Sequence, residues 1–83
     1  LTILKIYKMK EMVEYPRIGG KYTHYKGGKY EVMTMATNTE TGEPMVIYKS
    51  LLFGSIFARP LNIWSEKVTL EDGTVKQRFI GRA

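Results

Sequence analysis

The chain is 83 residues long, with 43% hydrophobic and 12% aromatic residues, a composition that indicates one folded domain and excludes a disordered tail. It has no cysteine, which excludes disulfide bonds and favours a reducing cytoplasm as its location. Its net charge of +5 arises in residues 1–30, where seven cations face two acids, and this excess predicts either a solvated surface or a surface that binds anions.

Residues 1–18 precede the first glycine turn and carry a mixed pattern. The alternation from Ile3 to Tyr7 fits a short strand, whereas the spacing of Met9 and Val13 fits a helical turn. We predict a short strand and then a brief helical turn that ends at Pro16. No apolar run in the chain reaches the ~18 residues of a membrane-spanning helix, so we expect no membrane association.

Short strands and glycine turns follow. The run Gly19-Gly20-Lys21-Tyr22 recurs eight residues later as Gly27-Gly28-Lys29-Tyr30, and one strand plus a turn explains that spacing. We predict a hairpin of strands 21–25 and 29–37. Strict alternation along the second strand predicts that one of its faces carries Tyr30, Val32, Thr34 and Ala36.

The second half of the chain continues in the same way. Residues 38–44 form a polar loop, and strands are predicted at 45–50 and 57–64, the latter restricted to an edge or a bend by Pro60. Strands at 67–70 and 74–80 flank Asp72-Gly73, a dipeptide that between two β-rich runs is a strong hairpin signal.

This density of short strands predicts an all-β fold, a small SH3-like barrel or sandwich. We expect a single domain over residues 1–83, with an N-terminal extension at 1–18 and a β-barrel core at 19–80. Because so small a domain buries only about 60–65% of its surface on folding, we also expect a homo-oligomer.

Residues for catalysis and metal binding are scarce. The chain has one His, one Asp and no Cys, and none of its serines lies in a nucleophile-elbow context. A single His without Cys does not make a zinc site, and no loop has the alternating acidic residues of a calcium site. We therefore predict that the protein is not an enzyme and has neither a metal nor a cofactor.

The segment Lys21–Lys26 interleaves aromatic and basic residues. On a strand, Tyr22, His24 and Lys26 share one face and Tyr25 projects to the other. Aromatic rings stack on bases and lysines neutralise phosphates, so the pattern predicts binding of an anionic small molecule or a nucleic acid. The structural alternative is that Tyr22 or Tyr25 packs in the core while the lysines protect an edge strand.

Arg59 lies within the apolar stretch Ile56–Leu61. An arginine there must reach solvent, pair with a carboxylate or bind an anionic ligand. Glu40, in the polar loop, is the candidate carboxylate, and an Arg59–Glu40 pair and a ligand clamp both remain open. Tyr48 and Trp64 are by default core or interface residues, and both also enter the set of ligand-binding candidates.

The motifs occur in a characteristic order: Gly20-Lys21-Tyr22-Thr23-His24-Tyr25-Lys26-Gly27, Tyr30-Glu31-Val32, Ala36 to Glu43, Val46-x-Tyr48, Arg59-Pro60-Leu61, Asp72-Gly73 and Arg78-Phe79. Over residues 19–79 this ordered set resembles a bacterial family catalogued as domain of unknown function 1653. The resemblance implies a compact, SH3-like β domain and no assigned activity. It maps the signature positions of the family onto Tyr22, His24, Tyr25, Lys26, Glu40, Thr41, Tyr48, Arg59 and Pro60.

Two motifs depart from the family pattern. Asn38-Thr39-Glu40-Thr41 stands where relatives have a His-Ser-Glu-Thr-like loop, and Phe57-Ala58-Arg59-Pro60 stands where they have a Trp-Val-Arg-Pro-like motif. The loss of the loop histidine argues against a proton-transfer role.

Two classes of function follow from the residues. The first is a non-catalytic binding domain for a nucleotide-type small molecule or a short nucleic acid; one form is a small sequestering protein of the kind that bacteriophages use against nucleotide signals. In it, Tyr22, Tyr25 or Trp64 would stack on the base, Lys26 and Arg59 would hold phosphate, and His24, Glu40 or Thr41 would hydrogen-bond polar edges. The second class is an SH3-like protein-interaction or assembly module. A nucleotide-processing enzyme that depends on His24 is a third alternative.

Overall fold

A computed structural model describes residues 15–81 of the chain. The strand and helical turn predicted ahead of Pro16 fall mainly on residues 1–14, outside the described residues. The described part contains seven strands and one helical turn: β1 (Lys21–His24), β2 (Lys29–Thr37), β3 (Pro44–Ser50), β4 (Ile56–Pro60), α1 (Leu61–Trp64), β5 (Lys67–Thr69), β6 (Val75–Gln77) and β7 (Phe79–Gly81).

Five strands form one antiparallel sheet in the order β4-β3-β2-β1-β7, and β5 and β6 form a separate two-stranded ribbon. The last strand returns to pair with the first, so that His24 stands opposite Phe79. Between β4 and β7 the chain forms the helical turn α1 and the β5–β6 ribbon. The predicted all-β fold class is confirmed.

Strand β2 contains a bulge at Met33. Val32 stands opposite Tyr48, whereas Thr34 stands opposite Ile47, so β2 has one residue more than β3 at this point. A bulge of this kind exchanges the two faces of a strand beyond it.

The bulge decides which residues of β2 face the core. Val32 is fully buried and Met35 packs against the core, while Thr34 and Ala36 are exposed. The prediction that Thr34 and Ala36 share a face with Val32 is therefore wrong, because strict alternation does not allow for the extra residue.

An aromatic core fills the concave face of the sheet. It consists of buried residues from three strands and the helical turn: Val32, Val46, Tyr48, Leu61, Trp64 and Phe79. Trp64 stacks on Phe79 with ring centroids 3.8 Å apart and 7° between the ring planes, and it meets Tyr48 edge-on at 5.0 Å. The helical turn α1 thus places the tryptophan over the open side of the sheet.

The strand predicted at 57–64 is a shorter strand followed by a helical turn. Pro60 has extended backbone angles, φ −55° and ψ 140°, and α1 begins at the next residue. Hydrophobic periodicity does not distinguish a strand from one helical turn over so few apolar residues. The predicted edge position is confirmed, since among the strands of residues 15–81 β4 pairs with β3 alone.

The Asp72-Gly73 hairpin is confirmed. Asp72 Oδ1 accepts a hydrogen bond from the Thr74 N–H at 2.9 Å, and Gly73 has a φ of 87°, in the left-handed region that glycine adopts without strain. The strand predicted at 74–80 is divided at Arg78, because β6 pairs with β5 whereas β7 pairs with β1. Within residues 15–81, no helix has the length and hydropathy needed to cross a bilayer.

Candidate functional site

Arg59 is held against the concave face of the sheet. It stands opposite the buried Val46 in the β3–β4 register, so its side chain turns inward. Its Nε donates a hydrogen bond to the Tyr48 hydroxyl at 3.1 Å, and its guanidinium carbon lies 5.5 Å from the centroid of the Phe79 ring. The Arg59–Glu40 pair is not formed, and no carboxylate of residues 15–81 makes an ion pair with Arg59.

His24 lies at the end of β1, next to these groups. Its ring meets the Phe79 ring edge-on, with centroids 5.0 Å apart. The Tyr25 ring is tilted against it, with centroids 4.6 Å apart. Its Nδ1 accepts a hydrogen bond from the backbone N–H of Lys26 at 3.2 Å, which leaves Nε2 as the N–H group of a neutral ring.

The surroundings of His24 favour this neutral ring. Burial lowers the pKa of His24 below its ordinary value of 6.5, and the positive charges of Arg59, Arg78 and Lys26 lower it further. The ring is therefore a hydrogen-bond donor at neutral pH without adding charge of its own.

The three cations near His24 are unequally neutralised. Arg78 NH2 forms an ion pair with Glu66 Oε1 at 2.9 Å, whereas the Lys26 ammonium lies 5.8 Å from the centroid of the Tyr25 ring. Neither Lys26 nor Arg59 has a carboxylate partner in the described part of the chain. Positive charge is thus left unbalanced at this place, which favours the approach of an anion.

Partly exposed aromatic rings lie beside the cations. Phe57, on the same face of β4 as Arg59, is 44% exposed and contacts the rings of Tyr30 at 6.4 Å and Tyr48 at 5.6 Å. Tyr30 reaches over Gly28, where an added Cβ would lie 2.8 Å from the tyrosine hydroxyl. We name this region the Arg59–His24 surface and define it by His24, Tyr25, Lys26, Tyr30, Phe57 and Arg59.

The structure brings together four of the nine residues predicted as ligand-binding: His24, Tyr25, Lys26 and Arg59. Tyr48 and Trp64 lie behind the surface, each only 4% exposed, and offer no open ring face to a ligand. Tyr22 packs edge-on against Trp64 at 5.3 Å, and its hydroxyl accepts a hydrogen bond from the Arg17 N–H at 2.8 Å. These three residues support the site rather than line it.

Glu40 and Thr41 lie elsewhere. Both belong to the loop between β2 and β3, at the opposite end of the nine-residue β2 from the turn that follows His24. Their backbone N–H groups donate to Asn38 Oδ1 at 2.9 and 3.3 Å, a turn-forming role. We therefore exclude Glu40 and Thr41 from the Arg59–His24 surface.

Reasoning from the sequence missed Tyr30, Phe57, Arg78 and Phe79. Tyr30 stands opposite Tyr22 in the hairpin register, and Phe57 lies two residues before Arg59, so the alternation of strand faces could have identified both. Arg78 and Phe79 reach the site only because β7 pairs with β1, a contact without a local signal. Within residues 15–81, no group of three or more His, Asp or Glu side chains could hold a metal ion.

Comparisons with known proteins identify the family. The family model described as "Protein of unknown function (DUF1653)" matches residues 20–80. A crystal structure of a DUF1653 protein from Bordetella bronchiseptica is 34% identical to this chain and superimposes with a TM-score of 0.67, covering 82% of this chain and 87% of that one. No curated protein matches the chain. The chain belongs to the DUF1653 family.

Proposed function

We propose that this protein is a non-catalytic binding domain for nucleotide-type ligands, which it holds at the Arg59–His24 surface. The observation that carries the proposal is the state of Arg59: its guanidinium is fixed by Tyr48 and Phe79, yet it has no carboxylate partner among the described residues. A positioned arginine with free N–H donors is the group that recognises phosphate most specifically in proteins.

The neighbouring residues supply the other parts of such a site. The Lys26 ammonium and the Nε2–H of His24 add a charge and a donor for phosphate oxygens. Phe57, Tyr30 and Tyr25 supply aromatic faces, and stacking of one base on such a ring contributes about 1–3 kcal/mol. A protein that only sequesters a nucleotide requires no further chemistry, and a cysteine-free chain is consistent with such a role in the cytoplasm.

Thermal unfolding with a ligand panel tests the proposal. The panel contains nucleoside mono- and triphosphates and cyclic dinucleotides, with tripolyphosphate as a ring-free control and adenosine as a phosphate-free control. A nucleotide at about ten times its Kd adds about 1.4 kcal/mol to the free energy of unfolding and raises Tm accordingly. The proposal fails if no nucleotide raises Tm at millimolar concentration, or if tripolyphosphate does so equally well.

Substitution then locates the site. Arg59→Met keeps an apolar stem against Phe79 but removes the guanidinium, and we expect it to weaken nucleotide binding about 10-fold or more in calorimetric titration. Lys67→Met, which removes an exposed cation from β5, is the matched control and should leave Kd within about two-fold. Equal affinities of the two variants would place the ligand away from Arg59.

Salt dependence separates this function from peptide binding in an SH3-like groove, the alternative from the sequence. Phosphate binding weakens as salt concentration rises, whereas binding of an uncharged extended peptide at the same rings changes little. Chromatography of the nucleotide after prolonged incubation should show no conversion. A product whose formation is abolished by His24→Ala would instead identify an enzyme.

A further inference from the structure

The β3–β4 hairpin carries an apolar surface patch that adjoins the Arg59–His24 surface and shares Phe57 with it. Leu52 and Phe53, at its tip, are 81% and 80% exposed, and Ile56, at the start of β4, is 62% exposed. No charged residue occurs between Ser50 and Arg59. We call the segment 51–58 the apolar hairpin edge.

This patch adjoins an edge of β4 that pairs with no other strand of the described part of the chain. Ser50 N–H donates to the Ser55 carbonyl at 2.8 Å and Ser50 C=O accepts from Gly54 N–H at 2.8 Å, so the backbone groups of Ser50 point across the hairpin toward β4. Hydrogen-bonded pairs alternate along an antiparallel ladder. Three residues of β4 therefore point their backbone groups away from β3, toward the open edge. They are Ile56, Ala58 and Pro60.

We propose that a second copy of this chain covers the apolar hairpin edge, with the two β4 strands paired antiparallel about a two-fold axis at Ala58. In this register, Ala58 exchanges two backbone hydrogen bonds with the partner subunit's Ala58, and the N–H of Ile56 donates to the carbonyl of the partner subunit's Pro60. The missing N–H of Pro60 removes a bond only at the outer end of the ladder, so this register satisfies nearly all edge groups.

The same register brings the partner copy to the Arg59–His24 surface. Phe57 and Arg59 share the concave face of β4, and antiparallel pairing about Ala58 sets Phe57 opposite the partner subunit's Arg59. A ring and a guanidinium that face each other across two strands attract one another. Each site thereby gains an aromatic neighbour from the other copy.

The size and charge of the patch favour a second copy over other partners. At roughly 200 Å² for a fully exposed large apolar side chain, the five exposed residues Leu51, Leu52, Phe53, Ile56 and Phe57 present about 600 Å². This area is at the upper limit for a monomer, and with the β4 backbone it approaches the ~800 Å² per partner of a stable interface. An uncharged surface also avoids the repulsion between two chains that each carry +5.

Sedimentation velocity of the full chain, from low micromolar to millimolar concentration, tests the interface. We expect a monomer–dimer equilibrium that Ala58→Pro abolishes, because proline removes the outward N–H without breaking a bond to β3. Ala58→Ser retains that N–H and should dimerise like the unsubstituted protein. As a second route, Phe57→Lys places a cation directly opposite the partner subunit's Arg59 and should raise the dimer Kd at least 10-fold, with thermal unfolding of both monomeric variants confirming the fold.

Hydrogen exchange identifies what covers the edge. The amides of Ile56 and Ala58 should be protected at concentrations where the protein is dimeric and should exchange freely where it is monomeric. Protection of both amides in the monomer would assign the edge to residues 1–14 of the same chain and overturn the proposal. A protein that stays monomeric at millimolar concentration with both amides unprotected would overturn it too. Neither outcome decides whether a single copy binds a nucleotide, which the thermal and calorimetric tests of the proposed function measure.

Discussion

The guanidinium carbon of Arg59 lies 5.5 Å from the centroid of the Phe79 ring, and this contact joins the two outermost strands of the five-stranded sheet. Arg59 belongs to β4 and Phe79 to β7, so no backbone pairing connects them. The stem and Nε of Arg59 therefore help to hold β4 against β7, while its remaining N–H groups are available to a ligand. Because different atoms carry the two roles, substitutions can separate them.

Arg59→Ala should destabilise the fold as well as abolish ligand binding. It removes the cation–π contact with Phe79 and the hydrogen bond to Tyr48, which together amount to about 1–2 kcal/mol of the free energy of unfolding. Urea denaturation followed by circular dichroism measures the loss. Lys67→Ala is the control and should change the free energy by less than about 0.5 kcal/mol. Equal stabilities would show that Arg59 does not help to hold β4 against β7.

Glu66→Gln should have opposite effects on stability and binding. It removes the carboxylate that pairs with Arg78 at 2.9 Å. Because the side chains of this ion pair are partly exposed, the free energy of unfolding should fall by about 0.5–1 kcal/mol. It also leaves another unbalanced cation near His24, so nucleotide affinity should rise a few-fold. Glu71→Gln, in the β5–β6 turn, should alter neither. A loss of affinity in Glu66→Gln would contradict the electrostatic account of the site.

The stability of the protein should fall as the pH drops below about 6.5. Burial and the nearby cations lower the pKa of His24 in the folded state, so the unfolded chain binds a proton at a higher pH than the folded chain does. The contribution of His24 is complete above its unfolded pKa and is lost as the pH falls through its folded pKa. His24 is the only histidine of the chain, so His24→Gln should flatten the profile of unfolding free energy between about pH 7.5 and pH 5. A profile unchanged by this substitution would exclude His24 as its source.

Nucleotide binding should show the opposite pH dependence. A bound phosphate offsets the positive charges that lower the pKa of His24, so binding favours the protonated ring and takes up a proton. Affinity should therefore rise as the pH falls from about 7.5 to about 5.5, a change that calorimetry in buffers of different ionisation enthalpy measures directly. In His24→Gln, affinity should depend less on pH. An affinity that falls with decreasing pH would place the anion away from His24.

Local signals were sufficient to predict much of the fold. The repeated Gly-Gly-Lys-Tyr run predicted the β1–β2 hairpin, Asp72-Gly73 predicted the β5–β6 hairpin, and Pro60 predicted an edge strand. Each of these signals restricts the backbone at the place where it occurs. The bulge at Met33 carries no such restriction, since Met fits a regular strand equally well, and a prediction based on alternation therefore exchanged the faces of Thr34 and Met35.

The candidate site was only partly predictable, because only some of its residues are grouped by a local sequence signal. His24, Tyr25 and Lys26 are neighbours in the chain, and a basic–aromatic pattern suffices to group them. Arg59 joins them because β7, which pairs with β1, presents Phe79 to both Arg59 and His24. That arrangement depends on a pairing between strands separated by more than fifty residues, which the local sequence does not encode. Glu40 and Thr41 were grouped with the site by motif alone, and their hydrogen bonds to Asn38 account for their positions.

Trp64 should be the largest single contributor to stability among the residues behind the site. It stacks on Phe79 at 3.8 Å and meets Tyr22 and Tyr48 edge-on. Trp64→Ala removes these ring contacts and leaves a cavity under α1, so the free energy of unfolding should fall by about 3–5 kcal/mol. The free energy of unfolding of a domain of this size is only about 4–12 kcal/mol. The variant should therefore unfold at a much lower urea concentration than the parent. Leu52→Ala is the matched control: Leu52 is a large apolar residue that is 81% exposed, and its loss should cost less than about 0.5 kcal/mol in the monomer. Equal losses in the two variants would mean that burial beneath the Arg59–His24 surface does not stabilise the fold.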